Sequence, residues 1–116
     1  TIAVVAETLK MATDAGVDAA KLPGCLAGGF ADSTVLQVHG PRMISGDLAP
    51  RGRVTLMLKD MDTACQLSRE VGATVPITAL ASELFRLVID QGYDDVDQGG
   101  LIRLYTDTPL SNVTDR

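Results

Sequence analysis

The longest periodic apolar pattern in this chain runs from about Arg53 to Val71 and predicts a long amphipathic helix. Apolar and small residues recur there at spacings of three and four, which places them on one face of an α-helix. Gly72 follows the pattern and is typical of a helix end, because glycine readily adopts the left-handed conformation found there. The residues on the predicted inward face are Val54, Met57, Leu58, Met61, Ala64, Cys65 and Ser68.

The same spacing predicts further helices over about 1–15, 19–27, 33–43, 76–91 and 98–105. Pro23 and Gly24 lie inside the second of these, so we expect it to be short or distorted. No segment alternates apolar and polar residues for long enough to form a strand. The fold class is therefore all-α. In the helix at 76–91 the residues predicted to point inward are Ile77, Leu80, Ala81, Leu84, Phe85 and Val88.

We expect one domain over 1–105 and a loose polar C-terminal tail over 106–116, where Pro109 interrupts any regular pattern. The formal net charge is −5, and no stretch concentrates Lys and Arg, which argues against nucleic-acid binding. No apolar run approaches the roughly 18 residues that a membrane span requires. We expect a cytoplasmic protein in which Cys25 and Cys65 are two buried thiols; a disulfide between them is the alternative.

Few residues outside the long helix suggest chemistry. His39 is the only histidine, and with two distant cysteines and no HExxH pattern it makes no metal site, so we expect a partly buried polar residue. Asp60 and Asp62 are two apart on a helix and should point to different sides. An acidic group near 94–97 is predicted to be a solvated turn; it consists of Asp94, Asp95 and Asp97.

Lys59 is the charged residue with the most informative position. It stands between Leu58 and Met61, which belong to the apolar face of the long helix. A lysine in that setting either extends its ammonium group to water or directs it into a cleft, where it can pair with an anionic ligand. The spacing alone favours the first alternative.

Five short segments, in this order and spacing, resemble the C-terminal domain of the β-hydroxyacid dehydrogenase family. The likeness runs from about Ile2 to Tyr105 and is greatest to the branches of 2-hydroxy-3-oxopropionate (tartronate semialdehyde) reductase and 3-hydroxyisobutyrate dehydrogenase. Each segment is weak alone, and their order makes the match specific. The segments are GGFADS at 28–33, VHGPRM at 38–43, LMLKDM at 56–61, PITALA at 76–81 and GLI at 100–102.

The resemblance implies a helical bundle like the C-terminal domain of 6-phosphogluconate dehydrogenase, which binds substrate and forms dimers or larger homo-oligomers. It implies hydride transfer between NAD or NADP and a small hydroxy acid or semialdehyde, with the cofactor held mainly by an N-terminal Rossmann domain. It assigns Lys59 and Asp60 to cofactor binding and no catalytic residue or metal ligand to this chain. The substrate-binding residues that it implies are Gly28, Gly29 and Ser33.

This chain contains no GxGxxG turn after a strand, and no capping residue precedes the helix at 1–15. We therefore expect the first helix to begin upstream of Thr1, in a longer protein that also supplies the glycine-rich motif of the family's catalytic lysine. The chain alone should then be inactive. Gly99 and Gly100 replace the Ser-Ala usual in relatives, so we expect the local helix geometry to differ there. The alternative is a non-enzymatic helical protein-interaction module.

Overall fold

A computed structural model describes residues 1–112 and consists of helices joined by short loops. Its α-helices are α1 (Ile2–Asp14), α2 (Leu22–Leu26), α3 (Thr34–Ser45), α4 (Val54–Val71) and α5 (Pro76–Asp90). Three 3₁₀ segments span Ala19–Lys21, Gln98–Leu104 and Leu110–Asn112. Over residues 1–112 no strand forms, and the all-α prediction is confirmed.

Local signals account for several of these helix ends. The Ser33 hydroxyl oxygen accepts a hydrogen bond from the backbone N–H of Leu36 at 2.9 Å and so caps α3. The carboxylate of Asp18 accepts from the N–H of Ala20, and Pro23 stands in the first turn of α2. The predicted distortion over 19–27 is confirmed, because this stretch divides into a 3₁₀ turn and a five-residue helix.

Two clusters of buried side chains form the core. One lies mainly between α1 and α3 and includes Leu9 and Met43, and the other lies between α4 and α5 and includes Phe85. The 3₁₀ segment Gln98–Leu104 joins them, because Leu101 packs in the second cluster and Ile102 in the first. Both side chains are at most 1% exposed.

The predicted inward face of α5 is only partly correct. Phe85 and Val88 are buried, but Ile77 is 82% exposed and Leu80 is 62% exposed. Ala64 of α4 is exposed as well. Helical spacing identifies an apolar face, and burial additionally requires a neighbouring element that covers it. In the described part of the chain no element covers the side of α5 on which Ile77 and Leu80 lie.

The segment after Tyr105 was expected to be a loose tail, but as far as residue 112 it packs against the core. Leu110 is 1% exposed and belongs to the first core cluster. Pro109 lies against Gly46 at the end of α3. Burial of a leucine side chain contributes about 1.5–3 kcal/mol, which favours docking of this segment on the core. The rest of the predicted tail, 113–116, lies outside the described residues.

The two cysteines are both free thiols, as expected, but only Cys65 is buried. Cys25 lies on α2 and is exposed. None of the helices within 1–112 is both long enough and apolar enough to cross a membrane.

Position 100 has no room for a side chain. A Cβ atom added to Gly100 would lie 2.4 Å from Cγ2 of Val96, and a β-branched side chain has little freedom to move away. Val96 therefore occupies the volume that an alanine at position 100 would need.

We predict that Gly100→Ala lowers the free energy of unfolding by about 1–3 kcal/mol through overpacking. Val96→Ala in the same chain should restore most of this loss, because it removes the clashing methyl group. Gly24→Ala is the control, since nothing lies within 4 Å of its added Cβ. Urea unfolding measures all three; equal stability of Gly100→Ala and the wild type would contradict the prediction.

Candidate functional site

A polar groove of about 730 Å³ lies between α4 and α5. Lys59 lines this groove with its side chain 70% exposed, so the ammonium group is both solvated and directed along a cleft. The two alternatives for Lys59 are therefore compatible in this fold. Other polar residues that line the groove are Thr55, Asp62, Thr63, Gln66, Arg69, Ser82, Glu83 and Arg86.

Asp60 lies beside Lys59, with its Oδ1 atom 3.7 Å from the lysine Nζ atom. This distance exceeds a hydrogen bond, and both side chains are mostly exposed. Asp60 does not line the groove. The structure thus brings the two predicted cofactor-binding residues together and directs only Lys59 into the groove, while their role toward a cofactor stays a prediction.

Asp60 and Asp62 point to different sides of α4, as their spacing predicted, and Asp62 faces α5. Its Oδ1 atom accepts a hydrogen bond of 2.6 Å from the Ser82 hydroxyl and one of 3.0 Å from Nη2 of Arg86. The Nε atom of Arg86 lies 3.5 Å from a carboxylate oxygen of Glu83. The sequence analysis missed this network, because its partners on α4 and α5 are at least 20 positions apart.

Gly28, Gly29 and Ser33 lie together in the loop between α2 and α3, and none of them lines the groove. Asp32 organises this loop: its carboxylate accepts from the backbone N–H groups of Gly28 and Ser33, both at 2.8 Å. The Gly28 N–H contributes most to holding the pKa of Asp32 below its usual value, followed by the Gln37 amide. Gly28 has φ +77°, a conformation that glycine adopts without strain.

Asp94 and Asp95 are exposed in a turn, as predicted, but Asp97 is buried, which corrects the prediction at that position. It is 0% exposed, and its Oδ1 atom accepts from the backbone N–H groups of Gly52 at 3.0 Å and Arg51 at 3.3 Å. Its Oδ2 atom accepts from the N–H of Gly99 at 3.2 Å. A local signal was available, since an aspartate two residues before Gly99 is typical of a side chain that caps a turn.

His39 lies next to this carboxylate, with its Nδ1 atom 3.3 Å from Oδ2 of Asp97. The imidazole is 8% exposed, and its Nδ1 atom makes no hydrogen bond of good geometry within 1–112. Burial alone would raise the pKa of the Asp97 carboxyl, but the three backbone donors and the imidazole outweigh it and lower this pKa. Asp97 is therefore an ionised group in the interior.

A second cavity of about 240 Å³ lies beside His39, between the start of α1 and helices α3, α4 and α5. Its walls are mostly apolar, and include Met57, Met61 and Phe85; the Gln98 side chain adds a polar wall. Over the described residues, no three His, Cys, Asp or Glu side chains are close enough together to hold a metal ion.

Comparison with known proteins identifies the class to which this helical domain belongs. A family model described as the NAD-binding domain of NADP-dependent 3-hydroxyisobutyrate dehydrogenase matches residues 1–105. The chain belongs to the β-hydroxyacid dehydrogenase family.

Two characterised relatives are similar in sequence. The chain is 35% identical over 102 residues to 2-hydroxy-3-oxopropionate reductase of Escherichia coli, covering 88% of this chain and 35% of that protein. It is 23% identical over 104 residues to L-threonate dehydrogenase of Cupriavidus necator, covering 90% of this chain and 35% of that protein. The chain thus spans about a third of the length of these relatives.

A solved structure shares the fold. The crystal structure of 3-hydroxyisobutyrate dehydrogenase from Salmonella typhimurium superposes with a TM-score of 0.85 over 90% of this chain and 36% of its own length. At 21% sequence identity, this likeness concerns the fold alone. It agrees with the helical domain that the resemblance implied.

We predict that Asp97→Asn lowers the free energy of unfolding at pH 7 by about 1–3 kcal/mol, because an amide leaves a buried backbone N–H without its acceptor. The lowered pKa of Asp97 stabilises the fold above the ordinary aspartate value of about 3.9, and this contribution disappears as pH falls through the folded-state pKa. The wild type should therefore lose stability more steeply than the variant between about pH 5 and pH 3. Exposed Asp95→Asn is the control, and parallel curves for the wild type and Asp97→Asn would contradict the prediction.

We predict that Ser33→Ala lowers the free energy of unfolding by about 0.5–2 kcal/mol, since it removes the N-cap of α3. The neighbouring exposed Thr34→Ala should change stability much less. Thermal and urea unfolding measure both variants. A Ser33→Ala protein as stable as the wild type would mean that the cap contributes nothing to folding.

Proposed function

We propose that this chain is the C-terminal domain of an NAD(P)-dependent β-hydroxyacid dehydrogenase that transfers a hydride between nicotinamide and a small hydroxy acid or semialdehyde acid. In this proposal the domain completes the active site and the subunit interface. The observation that supports it most directly is the position of Lys59, the lysine of the family-like Lys-Asp pair, on an open groove.

The cofactor, NAD or NADP, would be held mainly by a Rossmann domain elsewhere in the complete protein. A bound nicotinamide supplies the hydride or accepts it. Lys59 fits the edge of such a site: its ammonium is solvated, and its Asp60 neighbour lies beyond hydrogen-bonding distance. It would bind and orient anionic groups of cofactor or substrate, with Asp60 tuning the local charge. We expect no turnover from the 116-residue chain alone.

The loop containing Gly28, Gly29 and Ser33 is proposed as a substrate contact. The Ser33 oxygen accepts from Leu36 N–H, so its own proton can be donated to a carboxylate or hydroxyl oxygen of the substrate. The backbone N–H groups of Gly28 and Gly29 already bond to the Asp32 carboxylate and to the Leu26 carbonyl. These glycines would therefore act by letting a ligand approach the backbone closely.

The proposed subunit interface rests on exposed apolar side chains. Ile77, Leu80 and Leu87 are more than half exposed and lie on one side of α5. Val4 and Met11 form a similar exposed face on α1. Apolar surface of this kind is typical of contacts between subunits, and here it supports a homo-oligomer.

Lys59→Ala in the complete protein tests the site. We expect kcat/KM to fall about 10- to 1000-fold, equivalent to about 1.4–4 kcal/mol, because a charge-assisted contact in the transition state is lost. The melting temperature should change little, since the side chain is 70% exposed. The assay is steady-state reduction of 2-hydroxy-3-oxopropionate with NADH and with NADPH.

Lys21→Ala is the matched control, because Lys21 is also exposed but does not line the groove. Wild-type kinetics for Lys59→Ala would reject its role in the site. Absence of turnover with hydroxy acids and semialdehydes by the complete wild-type protein would reject the dehydrogenase itself and favour a helical interaction module.

A further inference from the structure

Lys59 and Asp62 are three residues apart on α4, and both line the groove. Opposite charges at this spacing on a helix are neighbours and ordinarily attract each other. Over residues 1–112, however, no ion pair joins these two side chains; Asp62 is directed to α5 instead. Asp62 is directed to α5 because that helix provides two hydrogen-bond donors for its carboxylate.

Two donors of α5 hold the Asp62 carboxylate. The first is the hydroxyl of Ser82, a residue only 3% exposed, which donates to Oδ1 at 2.6 Å. The second is Nη2 of Arg86, which lies 3.0 Å from Oδ1 and 3.3 Å from Oδ2. Nη2 also lies 3.4 Å from the Ser82 oxygen, so the three side chains form a closed network. A neutral donor fixed in the protein and a charged one together outweigh a single mobile lysine.

The network also determines the charge of the groove. Arg86 contacts both acidic residues that line it, Asp62 and Glu83. Lys59 and Arg69 are the other two cations of the lining. Neither forms an ion pair with a carboxylate of the groove within the described residues. In a chain with a net charge of −5, the cations that line this groove therefore outnumber its carboxylates, and Asp60, 3.7 Å from Lys59, lies outside the lining.

We propose that Arg86 and Ser82 are positioning residues for Lys59: by holding the Asp62 carboxylate on α5, they leave the Lys59 ammonium available to an anionic ligand in the groove. This inference rests on the proposed function, in which the ligand is an anionic group of cofactor or substrate. In this proposal both residues act on the ligand through Asp62, although they line the same groove. Without Arg86, only the Ser82 hydroxyl holds Asp62, so in a larger fraction of molecules the carboxylate turns toward Lys59 and competes with the ligand for its charge.

Two variants in the complete protein test this, Arg86→Gln and Asp62→Asn/Arg86→Gln. The first readout is the rate at which an acylating reagent modifies Lys59, measured by mass spectrometry with Lys21 as internal reference. A neighbouring carboxylate stabilises the ammonium form, and acylation requires the neutral amine. In Arg86→Gln the rate at Lys59 should fall about two- to fivefold, the range expected for an exposed ion pair. In the double variant it should return to the wild-type value or exceed it.

The second readout is steady-state kinetics with 2-hydroxy-3-oxopropionate and NADH or NADPH. In Arg86→Gln the KM for 2-hydroxy-3-oxopropionate, or for NADH or NADPH, should rise about two- to fivefold, with a smaller change in kcat. The double variant should restore it, and added salt should reduce the difference between Arg86→Gln and the wild type. Lys10→Gln, which breaks the exposed Lys10–Asp14 pair of α1, is the control and should change neither readout.

The outcomes separate the two hypotheses. An unchanged acylation rate in Arg86→Gln, or a decrease that persists in the double variant, overturns the positioning role. Acylation as expected, together with a wild-type protein that turns over no hydroxy acid or semialdehyde, supports the positioning of Asp62 and overturns the proposed function. A loss of activity in Arg86→Gln that Asp62→Asn does not rescue assigns Arg86 a structural role only.

Discussion

The buried carboxylate of Asp97 is the interaction on which the arrangement of the helices depends. It accepts backbone hydrogen bonds from Arg51 and Gly52 on one side and from Gly99 on the other. Three backbone bonds reinforce this junction: Asp97 N–H to Leu48 C=O at 3.1 Å, Val54 N–H to Val96 C=O at 3.0 Å and Gln98 N–H to Gly52 C=O at 2.7 Å. One side chain thereby ties the loop before α4 to the 3₁₀ segment that joins both core clusters. An ion in the interior is tolerated because donors surround it.

The groove depends on this junction. Helix α4 begins at Val54, which is fully buried and follows directly after the loop that Asp97 holds. The register of α4 is therefore set at its first residue, and the position of Lys59 one and a half turns later follows from it. Helix α5 then supplies Ser82 and Arg86, which determine where the charges of the groove lie. The placement of Lys59 and the charge around it thus come from different elements.

Much of the fold could be predicted from the sequence because its signals are local. A serine before Thr34, a glycine after Val71 and a proline at position 76 mark helix ends within a few residues, and helical periodicity supplies the length between them. The order of the five family-like segments likewise sufficed to indicate the family, which the match over 1–105 shows. The segment at 56–61 also identified Lys59 and Asp60 as the candidate cofactor-binding residues.

By itself the sequence determined the helices, most of their ends, the all-α class and the family, since each depends on neighbours in the chain. Only the tertiary structure decided which apolar faces are covered, because burial requires a partner from another element: Ile77 stays exposed and Leu110 does not. The tertiary structure also determined which donors bind the carboxylates. Asp62 and the Oδ1 atom of Asp97 find their donors through contacts 20 to 46 positions apart. No periodicity reports such contacts, since they arise only when the helices pack.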